Sequence, residues 1–168
     1  LPFLAQGDKR QVGAGQPLAG SPIGLLGPGT GLGVSGLIPA GSGWTALLSE
    51  GGHATFPPAD ARENAILQYA WRDHAHVSAE RLLCGDGLEL IHRALAHIHG
   101  RSDGPLKAAE ITRRALASEC TLCDEVVEVF CGMLGTMAGN LALTLGAQGG
   151  VYVGGGIVPR LGERFDQS

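Results

Sequence analysis

Apolar and polar positions along the chain predict a short β-meander followed by a run of helices. Residues 23–26, 32–38 and 44–48 are strand-like runs, separated by Gly27-Pro28-Gly29-Thr30-Gly31 and by Pro39-Ala40-Gly41-Ser42-Gly43. Both separators are loop compositions, so an antiparallel meander is the economical arrangement. Ahead of it, residues 1–20 read as an irregular lead-in punctuated by Pro2, Gly13, Gly15, Pro17 and Gly20. After Pro57-Pro58, Asp60 stands as an N-cap with Glu63 three residues on, and Ile66, Leu67, Ala70 and Trp71 form a helical stripe. Ser78 can cap a short helix that holds Glu80. Helices are predicted over 88–98 and 107–116, the second with Glu110 and Arg114 at i, i+4.

The longest helical pattern covers 124–145 and is apolar nearly all round. Gly132, Gly135 and Gly139 mark one face of it, and glycine costs about 1 kcal/mol per helical site relative to alanine. The expectation is that another backbone packs closely against that strip. A strand over 150–153 follows, then Gly154-Gly155-Gly156 and a new helix beginning near Ile157. Because 129–148 carries no charge, a membrane span has to be weighed. Its glycines, Thr136, Asn140 and Thr144, together with flanks poor in Lys and Arg, favour a helix buried in protein.

Composition narrows the choices further. The chain has 168 residues, 44% hydrophobic and 17% charged, enough apolar content for one folded domain. Its 28 glycines are more than twice the usual ~7%, with no collagen-like triplet to account for them. Net charge is -4 and the only lysines are Lys9 and Lys107, so no basic patch invites nucleic acid or an anionic membrane. Cys120, Cys123 and Cys131 crowd into one helical region, where a disulfide framework is a poor fit, and Cys84 stands apart. No basic segment followed by an apolar core opens the chain. Reduced thiols in a cytoplasmic protein are the simpler expectation. The chain starts without Met and stops inside a helical pattern, which reads as a single incomplete domain of a longer protein.

Three clusters could carry chemistry. Gly27-Pro28-Gly29-Thr30-Gly31-Leu32-Gly33 lies between two strand-like runs, where backbone N–H groups can line a concavity suited to phosphate oxygens. A plain glycine-rich hairpin has the same composition. Gly31-Leu32-Gly33-Val34-Ser35-Gly36 matches a dinucleotide fingerprint in letters only, because a strand and Pro39 follow where a helix is needed. No Lys-Ser or Lys-Thr completes a Walker loop. The second cluster is Glu50-Gly51-Gly52-His53 with Glu80 about one helix later. Two carboxylates and an imidazole can hydrogen-bond vicinal hydroxyls, the chemistry of a sugar site. The third, Gly149-Gly150-Val151-Tyr152-Val153-Gly154-Gly155-Gly156-Ile157, combines a strand, a glycine turn and a helix start that would let a base or ribose lie against the backbone. Cys120-Thr121-Leu122-Cys123 offers half of a zinc site or a redox pair, with no second pair to complete four ligands.

Taken in order, the Gly27 to Gly33 loop, Ser49-Glu50-Gly51-Gly52-His53, His76-Val77-Ser78-Ala79-Glu80-Arg81 and the Gly149 to Arg160 motif resemble the bacterial glucokinase family. The resemblance implies an α/β fold, namely the larger, C-terminal lobe of an actin-like (RNase H-like) ATPase, with an N-terminal lobe absent from these residues. It implies phosphorylation of glucose by ATP with Mg²⁺ in the full-length protein. Glu50, His53 and Glu80 match the family's glucose ligands. Gly27, Gly29, Thr30, Gly31 and Gly33 match its second phosphate loop, and Gly154, Gly155 and Gly156 its adenosine site. The aspartate that acts as base, and the first phosphate loop, have no match here; Leu1-Pro2-Phe3-Leu4 looks like the stretch that follows that aspartate, so the isolated chain is expected to be inactive. A related group of sugar kinases carries a cysteine-rich zinc segment soon after Glu-x-Gly-His, whereas Ala54-Thr55-Phe56-Pro57-Pro58 follows here. Expected partners are glucose and ATP, not nucleic acid or membrane, with a homodimer left open. A non-catalytic sugar-binding regulator of the same fold is the alternative.

Overall fold

The computed structural model describes residues 4–102 and 104–166. Leu1, Pro2 and Phe3, part of the lead-in and of the stretch likened to the segment after the aspartate, lie outside the described residues. Three strands form the expected meander: β1 (Ile23–Pro28), β2 (Leu32–Ala40) and β3 (Gly43–Leu47). β1 pairs antiparallel with β2, and β2 with β3. The second connection is tighter than the five-residue loop its composition predicts. Gly41 takes φ +57°, so a two-residue turn, Gly41-Ser42, closes the hairpin with Ala40 opposite Gly43. A fourth strand, β4 (Val151–Val153), lies parallel to β1 on its other side, giving the order β3-β2-β1-β4. A parallel neighbour needs a long crossover, and here all the larger helices are in it.

Those helices are α1 (Ala61–Ala70), α2 (Ala79–Leu82), α3 (Gly85–Ile98), α4 (Ala108–Leu116) and α5 (Thr121–Leu145). Asp60 Oδ1 accepts from the Glu63 N–H at 2.7 Å, capping α1, and Glu63 Oε2 accepts from the Ala59 N–H at 2.6 Å, one residue earlier than a capping box places it. Ser78 caps α2 by accepting from the Arg81 N–H at 3.2 Å. Both α3 and α5 start three residues before their apolar stripes. α5 does so because Cys120 Sγ accepts from the Cys123 N–H at 3.4 Å. α3 does so because Gly85 and Gly87 are held by tertiary contacts described below. After β4, α6 (Val158–Leu161) and α7 (Glu163–Asp166) are separated by Gly162 at φ +56°.

The core lies between the sheet and the helices. Leu26, Leu32 and Val34 meet Phe56, Ile66, Leu67, Ile91, Leu95, Phe130 and Met133, all buried. α5 is long and apolar enough to cross a membrane by length and composition, yet Val126, Val127, Phe130, Met133, Leu134 and Met137 are buried in this core. One expectation is reversed. Nothing lies within 4 Å of a Cβ built on Gly135 or Gly139, and Gly132 meets only Glu63 Oε1 at 4.0 Å. That strip is the exposed face of α5, so a helix apolar nearly all round leaves one face uncovered. The close approach between helix and sheet uses glycines of the strands instead. A Cβ on Gly24 would sit 3.0 Å from Leu141 Cδ2, and one on Gly36 would sit 2.7 Å from Leu145 Cδ1. Strand glycines thus admit the leucines of the last turns of α5, because a sheet face missing two side chains is the flatter surface.

Candidate functional site

The site is built around the β1–β2 turn. Gly29 N–H donates to the Gly31 carbonyl at 2.8 Å, which closes the turn and occupies the Gly29 amide. Leu32 N–H donates to Glu80 Oε2 at 2.9 Å. A Cβ on Gly31 would collide with the same carboxylate, so only glycine lets Glu80 lie against the turn. Among the described residues, no acceptor takes the N–H groups of Thr30 and Gly31. Of the five loop residues singled out in the sequence, Gly27 and Gly33 are paired across the β1–β2 ladder. Thr30 and Gly31 therefore retain the amides that a phosphate can use, and Thr30 is exposed.

Glu50, His53 and Glu80 converge beside this turn. Gly51–His53 forms one turn of 3-10 helix after β3, with the His53 N–H donating to the Glu50 carbonyl at 2.9 Å. Gly52 in this turn packs so closely on the Leu32 carbonyl that no Cβ fits. The chain beyond is bound to the segment leading into α2: Phe56 N–H donates to the Val77 carbonyl at 3.1 Å, and Ala79 N–H to the Ala54 carbonyl at 2.9 Å. These bonds carry Glu80 to His53. His53 Nδ1 is 3.9 Å from Glu80 Oε1, and its Nε2 is 3.8 Å from Glu50 Oε2. Both separations are within ion-pair range but longer than a hydrogen bond, so the carboxylate oxygens retain capacity for hydroxyl donors. Glu50 is 91% exposed, His53 63% and Glu80 34%. The cluster forms an open face, graded from solvent at Glu50 to the β1–β2 turn at Glu80.

The glycines after β4 reach the same place. Gly154 N–H donates to the Leu26 carbonyl at 2.7 Å, and Ile157 N–H to the Pro28 carbonyl at 3.4 Å. Gly155, at φ +79°, lies so close to the Pro28 carbonyl that a side chain would clash. Gly156 is open. All three motifs therefore surround the C-terminal end of β1, where open α/β sheets bind ligands. Sequence reasoning missed a fourth contributor. Gly85 N–H, in the first turn of α3, donates to the Gly29 carbonyl at 3.0 Å, and Gly87 packs against the Leu82 backbone with no room for a Cβ. Two glycines in Cys84-Gly85-Asp86-Gly87, directly before the apolar stripe, are the signal that points to it.

Two cavities lie elsewhere. One of about 420 Å³ is lined by His92, Arg101, Arg114 and Cys120, and one of about 390 Å³ by Ala115, Arg160 and Glu163. Neither is lined by Glu50, His53, Glu80 or a glycine of the loops after β1 and β4. Among the described residues no group of three or more His, Cys, Asp or Glu could hold a metal ion.

A mixed sheet with helices and a glycine turn at the end of its first strand is the architecture of an actin-like ATPase lobe, and the chain has that α/β fold. Its structure matches that of glucokinase from an Antarctic psychrotroph with TM-score 0.93 and 36% identity, over 99% of this chain and 52% of that one. The ROK hexokinase of Thermus thermophilus shares the fold at TM-score 0.58 and 20% identity, covering 88% of this chain and 45% of that one. A family model described as Glucokinase matches residues 1–168, and the glucokinase of Chromobacterium violaceum is 54% identical over 168 residues, all of this chain and 48% of that protein. The chain belongs to the glucokinase family. It spans about half the length of this curated relative.

Proposed function

We propose that the full-length protein transfers the γ-phosphoryl group of ATP to the 6-hydroxyl of glucose, and that residues 1–168 are its larger lobe. Glu50, His53 and Glu80 hold the sugar ring through its hydroxyls. Thr30 and Gly31 offer their amides to the phosphates, and Gly154, Gly155 and Gly156 form the floor under the adenosine. Phosphoryl transfer asks the protein chiefly for positioning and charge stabilisation. The observation that carries the reading is the Glu80 carboxylate, whose one oxygen accepts from Leu32 N–H in the phosphate turn while the other faces His53. One side chain thereby sets the distance between acceptor hydroxyl and donor phosphate, which is what near-attack geometry requires.

Gly29 and Gly156 fit ATP, since nothing lies within 4 Å of a Cβ built on either and room is left beside the turn. Mg²⁺ enters as the counter-ion of the phosphates, neutralising charge there when bound. The proton of the sugar hydroxyl goes to an aspartate that the family resemblance puts outside these 168 residues, and residues 1–168 alone do not turn over. We place the reaction in the cytoplasm. The test is steady-state kinetics of the full-length enzyme. Glu50→Gln is expected to raise KM for glucose and lower kcat, whereas Glu119→Gln, in the link between α4 and α5 where it pairs with Arg113, changes neither. Equal kinetics for the two variants would remove Glu50 from the site. Glucose binding without any ADP release by the full-length protein would favour a sugar-binding regulator instead.

A further inference from the structure

α5 opens on Cys120-Thr121-Leu122-Cys123, a motif the sugar and nucleotide residues leave unused. Cys120 is the N-cap and Cys123 the third residue of the helix, so a single turn carries both sulfurs. Cys123 N–H donates to Cys120 Sγ at 3.4 Å, which ties the two residues together in that turn. Their exposure differs. Cys120 is partly exposed and lines the cavity of about 420 Å³ with Arg101 and Arg114, while Cys123 is wholly buried behind it. A reagent from solvent can reach the first sulfur but not the second. All four cysteines are reduced thiols, and Cys84 and Cys131 are buried, each 5% exposed.

We propose that Cys120 and Cys123 form a redox-active dithiol, in which Cys120 is attacked first by a peroxide and Cys123 resolves it to an intramolecular disulfide. The Cys120 thiolate attacks one peroxide oxygen, the O–O bond breaks, and the departing oxygen takes a proton to leave as water. Cys120 is then a sulfenic acid. The Cys123 sulfur attacks it, the S–O bond breaks, and the hydroxyl leaves with the Cys123 proton as a second water. Two thiols and one hydrogen peroxide give one disulfide and two waters, with two electrons passing from sulfur to peroxide.

The surroundings of the two sulfurs agree with these roles. Burial raises the Cys120 thiol, but the Cys123 N–H, the Cys123 thiol and the Leu122 N–H hydrogen-bond its thiolate and Arg101 attracts it, leaving its pKa below the ordinary value. Helix N-termini and Cys-x-x-Cys motifs lower a thiol in this way. Burial, and then the neighbouring Cys120, push Cys123 up to about 12, so it remains a thiol until Cys120 is oxidised. Burial also raises Cys84.

The test uses the full-length protein, reduced and then treated with hydrogen peroxide, alkylated, digested and mapped by mass spectrometry. Without peroxide, iodoacetamide is expected to label Cys120 at least about tenfold faster than Cys84, Cys123 or Cys131. With peroxide, the peptide containing both residues should lose two hydrogen masses and both alkylation sites together, and dithiothreitol should restore them. Cys123→Ser should stop at a Cys120 sulfenic acid that dimedone traps. Cys120→Ser keeps a capping oxygen and should abolish oxidation with thermal stability unchanged, which a purely structural cap does not explain. Direct passage of Cys120 to sulfinic acid, a disulfide between two chains, or both thiols unchanged would each overturn the proposal. The mapping of the unsubstituted protein decides it even if a variant fails to fold.

Discussion

Glycine serves opposite ends in two regions of this molecule. Around the β1–β2 turn, Gly31 faces the Glu80 carboxylate, Gly52 the Leu32 carbonyl and Gly155 the Pro28 carbonyl, each too closely for a Cβ. On α5, Gly135 and Gly139 face open space. Sequence spacing does not reveal which set must be glycine, because neither Gly31 nor Gly135 shows locally what will approach it. The difference lies in what approaches from elsewhere in the chain. Where backbone and carboxylate come together at the β1–β2 turn, the absence of a side chain is a requirement. On the exposed helix face it only weakens the helix.

The contrast is sharpest at Gly155. Gly155→Ala meets both a positive φ and a backbone carbonyl, so unfolding free energy should fall by about 2–4 kcal/mol in denaturant titration. An unchanged midpoint would show that the turn after β4 is looser than described. Glu80→Gln keeps an oxygen for Leu32 N–H but removes the charge, and charge-assisted hydrogen bonds contribute about 1.5–3 kcal/mol. KM for glucose should rise roughly 10- to 100-fold with little loss of stability, measured by kinetics beside thermal unfolding. Gly135→Ala and Gly139→Ala should have the reverse sign from Gly155→Ala, each stabilising by up to about 1 kcal/mol. Destabilisation there would mean that another surface covers the strip in the full-length protein.

The smallest effect is electrostatic. Hydrogen bonds from Arg113 and then Arg114 hold the Glu110 carboxyl down from 4.5 to about 2. A carboxylate with a depressed folded-state pKa stabilises the fold above its ordinary value and loses that contribution as pH falls. Stability should therefore decline between pH 4.5 and about 2, less so in Glu110→Gln. Salt should shrink the difference, because the group is exposed.

Much of this was legible from local pattern. The meander, the Asp60 and Ser78 caps, and the Glu110 to Arg114 pair, which closes at 2.6 Å, follow from residues within a few positions of one another. The early starts of α3 and α5 did not follow, because Gly85 and Cys120 lack the stripe that marks a helix and are held by the Gly29 carbonyl and the Cys123 N–H. The glycine strip on α5 was misread for a related reason. Spacing states which face a residue occupies but not what covers that face.

By itself the amino-acid order determined which segments become strands, turns and helices, and which side chains could hold a hydroxyl or a phosphate. It did so because hydrophobic period, caps and turn residues act over a few residues of chain. That Glu80 reaches across 48 positions to Leu32 N–H, that β4 returns beside β1, and that among the described residues no acceptor takes the amides of Thr30 and Gly31 were decided only by tertiary packing. Contacts between distant segments depend on how whole faces fit, and no local pattern encodes that fit.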